Sequence, residues 1–293
     1  MLPYEPDTLA INLCTRGRPG RMLECVRRTL PNISLNSTKL IISVDSDDSA
    51  SLEALPFLPR DDRIIPWVKP REDDIGSKWN RVLEFPSSVY TYSADYCAYA
   101  TPGFDRLILD AASLFPDKIG VVVNHMANAS FAGIYALTHE LTAKLGYFFP
   151  PYFPYWFVDH WIDDIAKLID RISFADVHLD IAQKLPTQEM RDLAFWSTLF
   201  DALKIVRRQD ARRIIDDPEF REPEWRKEIL RRGYPRIEFY SQWINEGMRA
   251  NPALTSVGNS TDGGDRYRRL KTRALALLAD LEPKLISELQ KAA

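Results

Sequence analysis

The feature that most constrains this chain is an alternation of short apolar runs with helical patterns over its first 180 residues. Short β-branched runs are typical of buried strands, and strands that alternate with helices form a mostly parallel sheet. We predict strands at 9–13, 39–44, 63–68, 89–93, 119–124 and 172–177. We predict helices at 20–30, 77–84, 103–114, 134–145 and 160–171. The expected fold class is α/β, with a mostly parallel central sheet and flanking helices.

The pattern changes after about residue 185, where the strand signals end. We predict four charged helical segments there, at 191–215, 222–232, 235–249 and 266–292. A loop rich in Gly, Ser, Thr and Asp precedes the last of them. We therefore expect an α/β domain over residues 1–185 and a helical C-terminal extension over residues 186–293.

Composition and charge exclude several classes of protein. The formal net charge of −3 leaves no basic excess for a general nucleic-acid binder. The sequence has no run of about eighteen uncharged apolar residues, so we predict no membrane span. Its first residues lack the pattern of a signal peptide. The three cysteines are widely spaced and odd in number, so we expect no disulfide framework and a reducing, cytoplasmic location.

Polar side chains follow the predicted strands at the points where those strands end. Ligands of open parallel sheets bind at the carboxyl ends of the strands, so these residues form the candidate site. They are Thr15, Arg16, Arg18, Asp45, Asp95, His125 and His178. Arginine can bind phosphate with two hydrogen bonds, although Arg18 could instead lie in a solvated turn. The glycine motifs of dehydrogenases and P-loop NTPases are absent.

Two carboxylates in this set have specific predicted roles. Asp45 directly follows an apolar strand, so we expect it to stand exposed and to bind a nucleobase N–H or a ribose hydroxyl. Its alternative role is to cap the next helix, which we assign instead to Asp47, Asp48 or Ser49. Asp95 offers the hard oxygen that a divalent cation on a diphosphate requires, or it caps the following turn.

The segment 156–161 (WFVDHW) places an acid and an imidazole among aromatic residues, after a proline-rich loop. Apolar surroundings raise the pKa of a carboxylate, which suits a general base. Asp159 is therefore the candidate base, and His160 either orients it or replaces it. The neighbouring aromatic side chains could stack on a sugar, or they could be core, with Asp159 capping the next helix.

Taken in order, these segments resemble the family-2-like glycosyltransferases with a GT-A fold over about residues 8–180. Residues 12–19 (NLCTRGRP) are similar to that family's opening strand and nucleotide loop, and 43–48 (SVDSDD) to its base-binding acidic turn. Residues 76–80 (GSKWN) resemble the segment beneath the nucleotide. Residues 93–97 (SADYC) lie where the family has its metal-binding Asp-x-Asp.

The resemblance implies that residues 1–185 form a catalytic domain that binds a nucleotide sugar. The residues that it places on the donor are Thr15, Arg16, Arg18, Asp45, Lys78, Asn80 and Asp95. It assigns Mn²⁺ or Mg²⁺ to Asp95 and His178, and catalysis to Asp159 and His160. Cys97 replaces the second carboxylate of Asp-x-Asp, and a thiol is a poorer ligand than oxygen for these ions.

The expected activity is the transfer of a sugar from a nucleoside-diphosphate sugar to an acceptor hydroxyl, on a carbohydrate or another molecule. Inversion and assistance by a divalent metal are implied by the resemblance. One alternative is a catalytically inactive nucleotide-sugar-binding module, which Cys97 favours. Another is a sugar nucleotidyltransferase of the same fold, which would need a glycine-rich basic loop, whereas the loop 16–21 has only two glycines and no lysine. The oligomeric state is not predicted.

Overall fold

The computed structural model describes residues 4–126, 132–153, 155–182, 193–233 and 268–280. Its strands are β1 (Leu9–Cys14), β2 (Lys39–Asp45), β3 (Ile64–Lys69), β4 (Val89–Ala94), β5 (Cys97–Tyr99), β6 (Val121–Met126), β7 (Ala132–Thr138), β8 (Ile172–Phe174) and β9 (Leu179–Ile181). Its helices are α1 (Pro19–Thr29), α2 (Ser49–Ala54), α3 (Ile75–Asn80), α4 (Phe104–Ser113), α5 (His139–Leu145), α6 (Val158–Leu168), α7 (Leu193–Ala202), α8 (Lys204–Ile215) and α9 (Glu224–Arg232). Residues 268–280 form a further helix.

The central sheet has seven strands in the order β3-β2-β1-β4-β7-β6-β8. All pairs are parallel except those that involve β7, which runs antiparallel to β4 and to β6. Every residue of β1 is buried, as expected for a strand that is covered on both faces. The predicted α/β class with a mostly parallel sheet is confirmed. A second, small sheet pairs β5 with β9 in antiparallel fashion.

The prediction of one helix over 134–145 is wrong in its first half. Residues up to Thr138 belong to β7, and only His139–Leu145 are helical. The apolar run Ile-Tyr-Ala-Leu fits either structure locally, and the tertiary pairing with β4 and β6 decides it. The strands β5 and β9 were not predicted either, because three residues carry too little periodicity to be recognised.

Two helices, α7 and α8, lie where one was predicted over 191–215. Leu203 separates α7 from α8, and its side chain is buried. Arg207 of α8 is also buried, with its guanidinium 2.9 Å from Asp164 of α6 and 3.7 Å above the ring of Phe200. This contact fixes α6 against the extension.

The remaining predicted helices are only partly described. The segment 222–232 forms α9, and 266–292 is helical over 268–280. The predicted helix 235–249 lies outside the described residues. No helix within the described ranges is long and apolar enough to cross a membrane.

Candidate functional site

The ends of β1 and β4 bring together the first group of predicted site residues. These strands are neighbours in the sheet, so the loop after β1 meets Asp95 directly after β4. The Thr15 hydroxyl donates to Asp95 Oδ2 at 2.9 Å, and Arg18 Nε lies 3.0 Å from the same oxygen. Asp95 Oδ1 is buried and has no hydrogen-bond partner. Burial raises the pKa of this carboxyl, although Arg18 opposes the shift.

Asp45 is enclosed by three cations at the end of β2. Its Oδ2 lies 3.1 Å from Arg16 Nη1 and 2.9 Å from Lys78 Nζ, and its Oδ1 lies 3.3 Å from Arg81 Nη2. The expectation that Asp45 stands exposed is wrong, because its side chain is only 3% exposed. A carboxylate has about four lone-pair positions, and the three cations occupy three of them.

Arg81 was not singled out from the sequence, although it is buried beside Asp45. It lies in a single 3-10 turn, Arg81–Glu84, that directly follows α3. Its spacing of three residues from Lys78 places the two side chains on one helical face, which is the signal that could have identified it. Its Nη2 also donates to the Pro70 carbonyl oxygen at 2.6 Å.

The loops after β1 and β2 are joined to each other. Asp48 caps α2 by accepting from Ser51 N, and it also accepts from Gly17 N at 2.8 Å. This confirms that a neighbour of Asp45 takes the capping role. Gly17 has a φ of +64°, which a glycine adopts without strain. Arg16 pairs with Asp47 at 2.6 Å as well as with Asp45, so its guanidinium contacts two of the three acidic residues of the turn.

Helix α3 links this acidic turn to the aromatic loop, defined here as residues 147–153. Lys78 Nζ donates to the Thr15 carbonyl oxygen at 2.7 Å. The Asn80 side chain accepts from Phe148 N and Phe149 N and donates to the Phe149 carbonyl oxygen. Asn80 was predicted to contact the donor, but its amide is engaged by the aromatic loop. It therefore fixes the loop to α3.

Gly76 allows α3 and the aromatic loop to approach closely. A Cβ atom at this position would lie 3.2 Å from Asp74 Oδ1 and 3.3 Å from the Pro150 carbonyl oxygen. Such distances are shorter than ordinary van der Waals contact. A larger residue here would require its neighbours to shift by a few tenths of an ångström.

Asp159 and His160 form a pair in the first turn of α6. His160 Nδ1 lies 2.9 Å from Asp159 Oδ1, which also accepts from the His160 backbone N. Burial alone would raise the pKa of Asp159, but the charge and hydrogen bonds of His160 outweigh it and lower that pKa. The expectation of a raised carboxyl pKa is therefore wrong. The pKa of His160 is raised by Asp159, against the opposing effect of burial.

Asp159 and Arg18 both lie within electrostatic range of Tyr155. The Asp159 side chain is 30% exposed. Tyr155 connects the two regions, because its hydroxyl hydrogen-bonds to Tyr96 and both Asp159 and Arg18 perturb its pKa, which burial raises. Trp161, by contrast, is fully buried and donates to the Tyr147 hydroxyl at 2.8 Å. Trp161 therefore belongs to the core, which was the alternative to stacking on a sugar.

The structure does not bring His178 to Asp95. Its side chain is 76% exposed, and its carbonyl oxygen accepts from Ala100 N. Because β5 and β9 are antiparallel, residue 178 lies beside the end of β5 that is farther from Asp95. A cation shared by Asp95 and His178 is therefore not supported. The side chain of His125, at the end of β6, lies outside the described residues.

Cys97 is buried near Cys25. Burial raises the pKa of its thiol to about 12, with Cys25 adding to the shift. Within the described ranges, no group of three or more His, Cys, Asp or Glu side chains could hold a metal ion. Near the strand ends, Asp95 Oδ1 is a buried carboxylate oxygen without a hydrogen-bond partner.

A pocket of about 130 Å³ lies beside Asp95, between α1 and the small sheet. Its charged lining residues are Arg21, Glu24, Arg28, Asp95 and Asp180. Arg28 pairs with Asp180 across its rim. The pocket adjoins the strand-end edge of the central sheet on the side of Asp95.

Comparisons with known proteins bear on the fold. No protein-family model matches this chain, and no curated protein does so either. The crystal structure of S. aureus TarS 1–349 matches with a TM-score of 0.51 and 11% identity, over 90% of this chain and 78% of that one. The mannosyltransferase PcManGT from Pyrobaculum calidifontis, in complex with GDP-Man and Mn²⁺, matches with a TM-score of 0.47 and 12% identity, over 97% and 83% of the two chains. The chain has a glycosyltransferase fold with a mostly parallel central sheet.

Proposed function

We propose that this chain is a glycosyltransferase of the GT-A type, which moves a sugar from a nucleoside-diphosphate sugar to an acceptor hydroxyl. The observation that carries the proposal is the cluster of cations at the strand ends of a glycosyltransferase fold. Arg16, Arg18 and Lys78 lie at these ends, and Asp159 and Arg18 both act on Tyr155.

The donor would lie along the ends of β1, β2 and β4. Arg16 and Arg18 are about one-third exposed, so they can turn from Asp45 and Asp95 toward a diphosphate. The lone-pair position left on Asp45 suits one hydrogen bond from a ribose hydroxyl or a base N–H. Asp45 would also hold Arg16, Lys78 and Arg81 in place through its three ion pairs.

Asp159 would act as the general base. Its lowered pKa keeps it ionised near neutral pH, so it can accept the proton of the acceptor hydroxyl. The acceptor oxygen would then bond to the anomeric carbon as the bond to the diphosphate breaks, and the departing diphosphate would take that electron pair. Attack from the face opposite the diphosphate inverts the anomeric centre. His160 holds Asp159 Oδ1 and orients the carboxylate.

A divalent cation fits at one point of the site. Asp95 Oδ1 is a buried oxygen without a partner, and it would hold Mg²⁺ or Mn²⁺ together with oxygens of the donor diphosphate. Such an ion would neutralise charge on the departing diphosphate. His178 takes no part in this arrangement.

Binding is tested first, by titrating the full chain with UDP and GDP, each with and without Mn²⁺. We expect binding of one of them, a gain in affinity with Mn²⁺, and the loss of that gain in Asp95→Asn. Asp180→Asn, in the same pocket but away from Thr15 and Arg18, is the control and should keep the gain. Failure of the wild type to bind either nucleotide would refute the proposal.

Catalysis is tested by the rate of sugar transfer in Asp159→Asn. Loss of a general base costs about 10²–10⁴-fold in rate, so transfer should collapse while nucleotide affinity is kept. His160→Gln is the companion variant, and we expect a smaller loss. If Asp159→Asn transferred sugar at the wild-type rate, Asp159 would be excluded as the base. Binding without transfer or hydrolysis by the wild type would instead identify an inactive nucleotide-sugar-binding module.

A further inference from the structure

The helix at 268–280 lies against the candidate site, although it is distant from the site in sequence. Leu270 and Ala274, one helical turn apart, are each 3% exposed and belong to the hydrophobic core. Lys271 Nζ lies 4.6 Å from the ring centroid of Phe195 in α7. These contacts dock one face of the helix and direct an adjacent face toward α3.

Arg273 uses that position to contact two separate segments at once. Its Nη2 lies 3.2 Å from Asp74 Oδ2, and the same nitrogen donates to the Pro151 carbonyl oxygen at 2.5 Å. Asp74 directly precedes α3, and Pro151 belongs to the aromatic loop. One guanidinium nitrogen therefore bridges the start of α3 and the loop that leads to α6.

Asp74 already has a structural role that does not depend on Arg273. Its Oδ1 accepts from Ser77 N at 2.6 Å and its Oδ2 accepts from the Ser77 hydroxyl at 2.7 Å, so it caps α3. The carboxylate is only 1% exposed, whereas the Arg273 side chain is 48% exposed. Loss of Arg273 would thus leave the cap in place and remove only the bridge.

The two bridged segments carry the two sides of the proposed reaction. α3 contributes Lys78 on the donor side, and the aromatic loop precedes Asp159 on the base side. We propose that Arg273 is a positioning residue that holds the donor side and the base side in register. This inference rests on the proposed function for its catalytic meaning, but the bridge itself can be tested without a substrate.

The test compares Arg273→Ala with Arg269→Ala in the full chain. Arg269 is one turn earlier on the same helix and pairs with Asp73 at 2.8 Å, and neither residue caps α3. Amide hydrogen exchange without nucleotide is measured in residues 75–80 and 147–153. We expect faster exchange in both segments for Arg273→Ala and wild-type exchange for Arg269→Ala. Equal exchange in both variants would overturn the proposal.

Titration with UDP and GDP supplies the second measurement. A partly exposed ion pair is worth little, so we expect a loss of affinity of about two- to fivefold in Arg273→Ala. Because a displaced base also slows the reaction, the transfer rate at saturating donor should fall as well. Arg273→Lys keeps a donor for Asp74 and Pro151 and should recover part of both losses.

The failures of the two proposals are distinguishable. If the wild type binds neither UDP nor GDP, the proposed function fails, while hydrogen exchange still decides whether Arg273 bridges the two segments. If the wild type binds and transfers but Arg273→Ala has the affinity, rate and exchange of Arg269→Ala, the positioning role is refuted and the function stands.

Discussion

Replacement of Asp45 by asparagine is the sharpest test of how the donor side is held together. The substitution keeps the shape of the side chain but removes the negative charge that Arg16, Lys78 and Arg81 share. The amide that replaces one oxygen would also present its own N–H groups to those cations. Two of the cations, Lys78 and Arg81, are buried, so they would lose their counter-charge in a poorly solvated site.

The size of the effect follows from what each cation retains. Removal of one partner of a buried ion pair costs about 3–5 kcal/mol. Lys78 keeps its bond to the Thr15 carbonyl oxygen, and Arg81 keeps its bond to the Pro70 carbonyl oxygen. Arg16 is one-third exposed and keeps Asp47. We therefore expect a loss near the lower end, about 3 kcal/mol, or about 6–12 °C in Tm.

The assay is thermal unfolding of the nucleotide-free protein, with Asp47→Asn as the matched control. Asp47 pairs with the same Arg16, but its side chain is about half exposed. Exposed pairs contribute about 0–1 kcal/mol, so the control should melt within about 2–4 °C of the wild type. A Tm for Asp45→Asn equal to that of Asp47→Asn would show that the three cations do not depend on Asp45.

Three further substitutions test other contacts. Gly76→Ala should lower the free energy of unfolding by about 1–3 kcal/mol, because its Cβ would crowd Pro150, whereas Gly20→Ala, with no atom within 4 Å, should not destabilise. His160 has a pKa raised above 6.5 in the folded state, so its contribution to stability is present below that pH and is lost as pH rises through the raised value. The free energy of unfolding, measured with urea, should therefore fall above pH 6.5 in the wild type, and this fall should be absent in His160→Gln. Cys97→Ser should leave any gain in nucleotide affinity with Mn²⁺ unchanged, and a lost gain would identify the thiol as a ligand.

The residues at the strand ends were the part of the site that could be predicted from the sequence. Parallel neighbours bring their carboxyl ends to one edge, and the register that pairs Cys14 with Ala94 places Thr15 beside Asp95. That rule needs only strand positions and strand direction. It does not reveal what covers a strand end, so the burial of Asp45 by Lys78 and Arg81 could not be predicted from β2 alone.

Pairings between segments that are far apart in the chain could not be predicted from the sequence. The small sheet joins β5 to β9 through three residues of each, and that pairing separates His178 from Asp95. The reversed strand β7 has an apolar run that a helix could also bury. The contact of Arg273 with the N-cap of α3 has no local signal, because a solvated arginine on a charged helix has the same pattern. The assigned catalytic and donor-binding roles stay predictions.

The contact between Arg273 and Asp74 also sets an order of events during protein synthesis. The two residues are 199 positions apart, and a ribosome adds about 5–20 residues per second. The guanidinium is therefore made about 10–40 s after the carboxylate that it contacts. Once the loop 147–153 has been made, Asn80 can hold it to α3, but the second contact, through Arg273, is still missing. A ribosome-bound chain stalled before residue 273 should accordingly expose the loop 147–153 to a protease that the released protein resists.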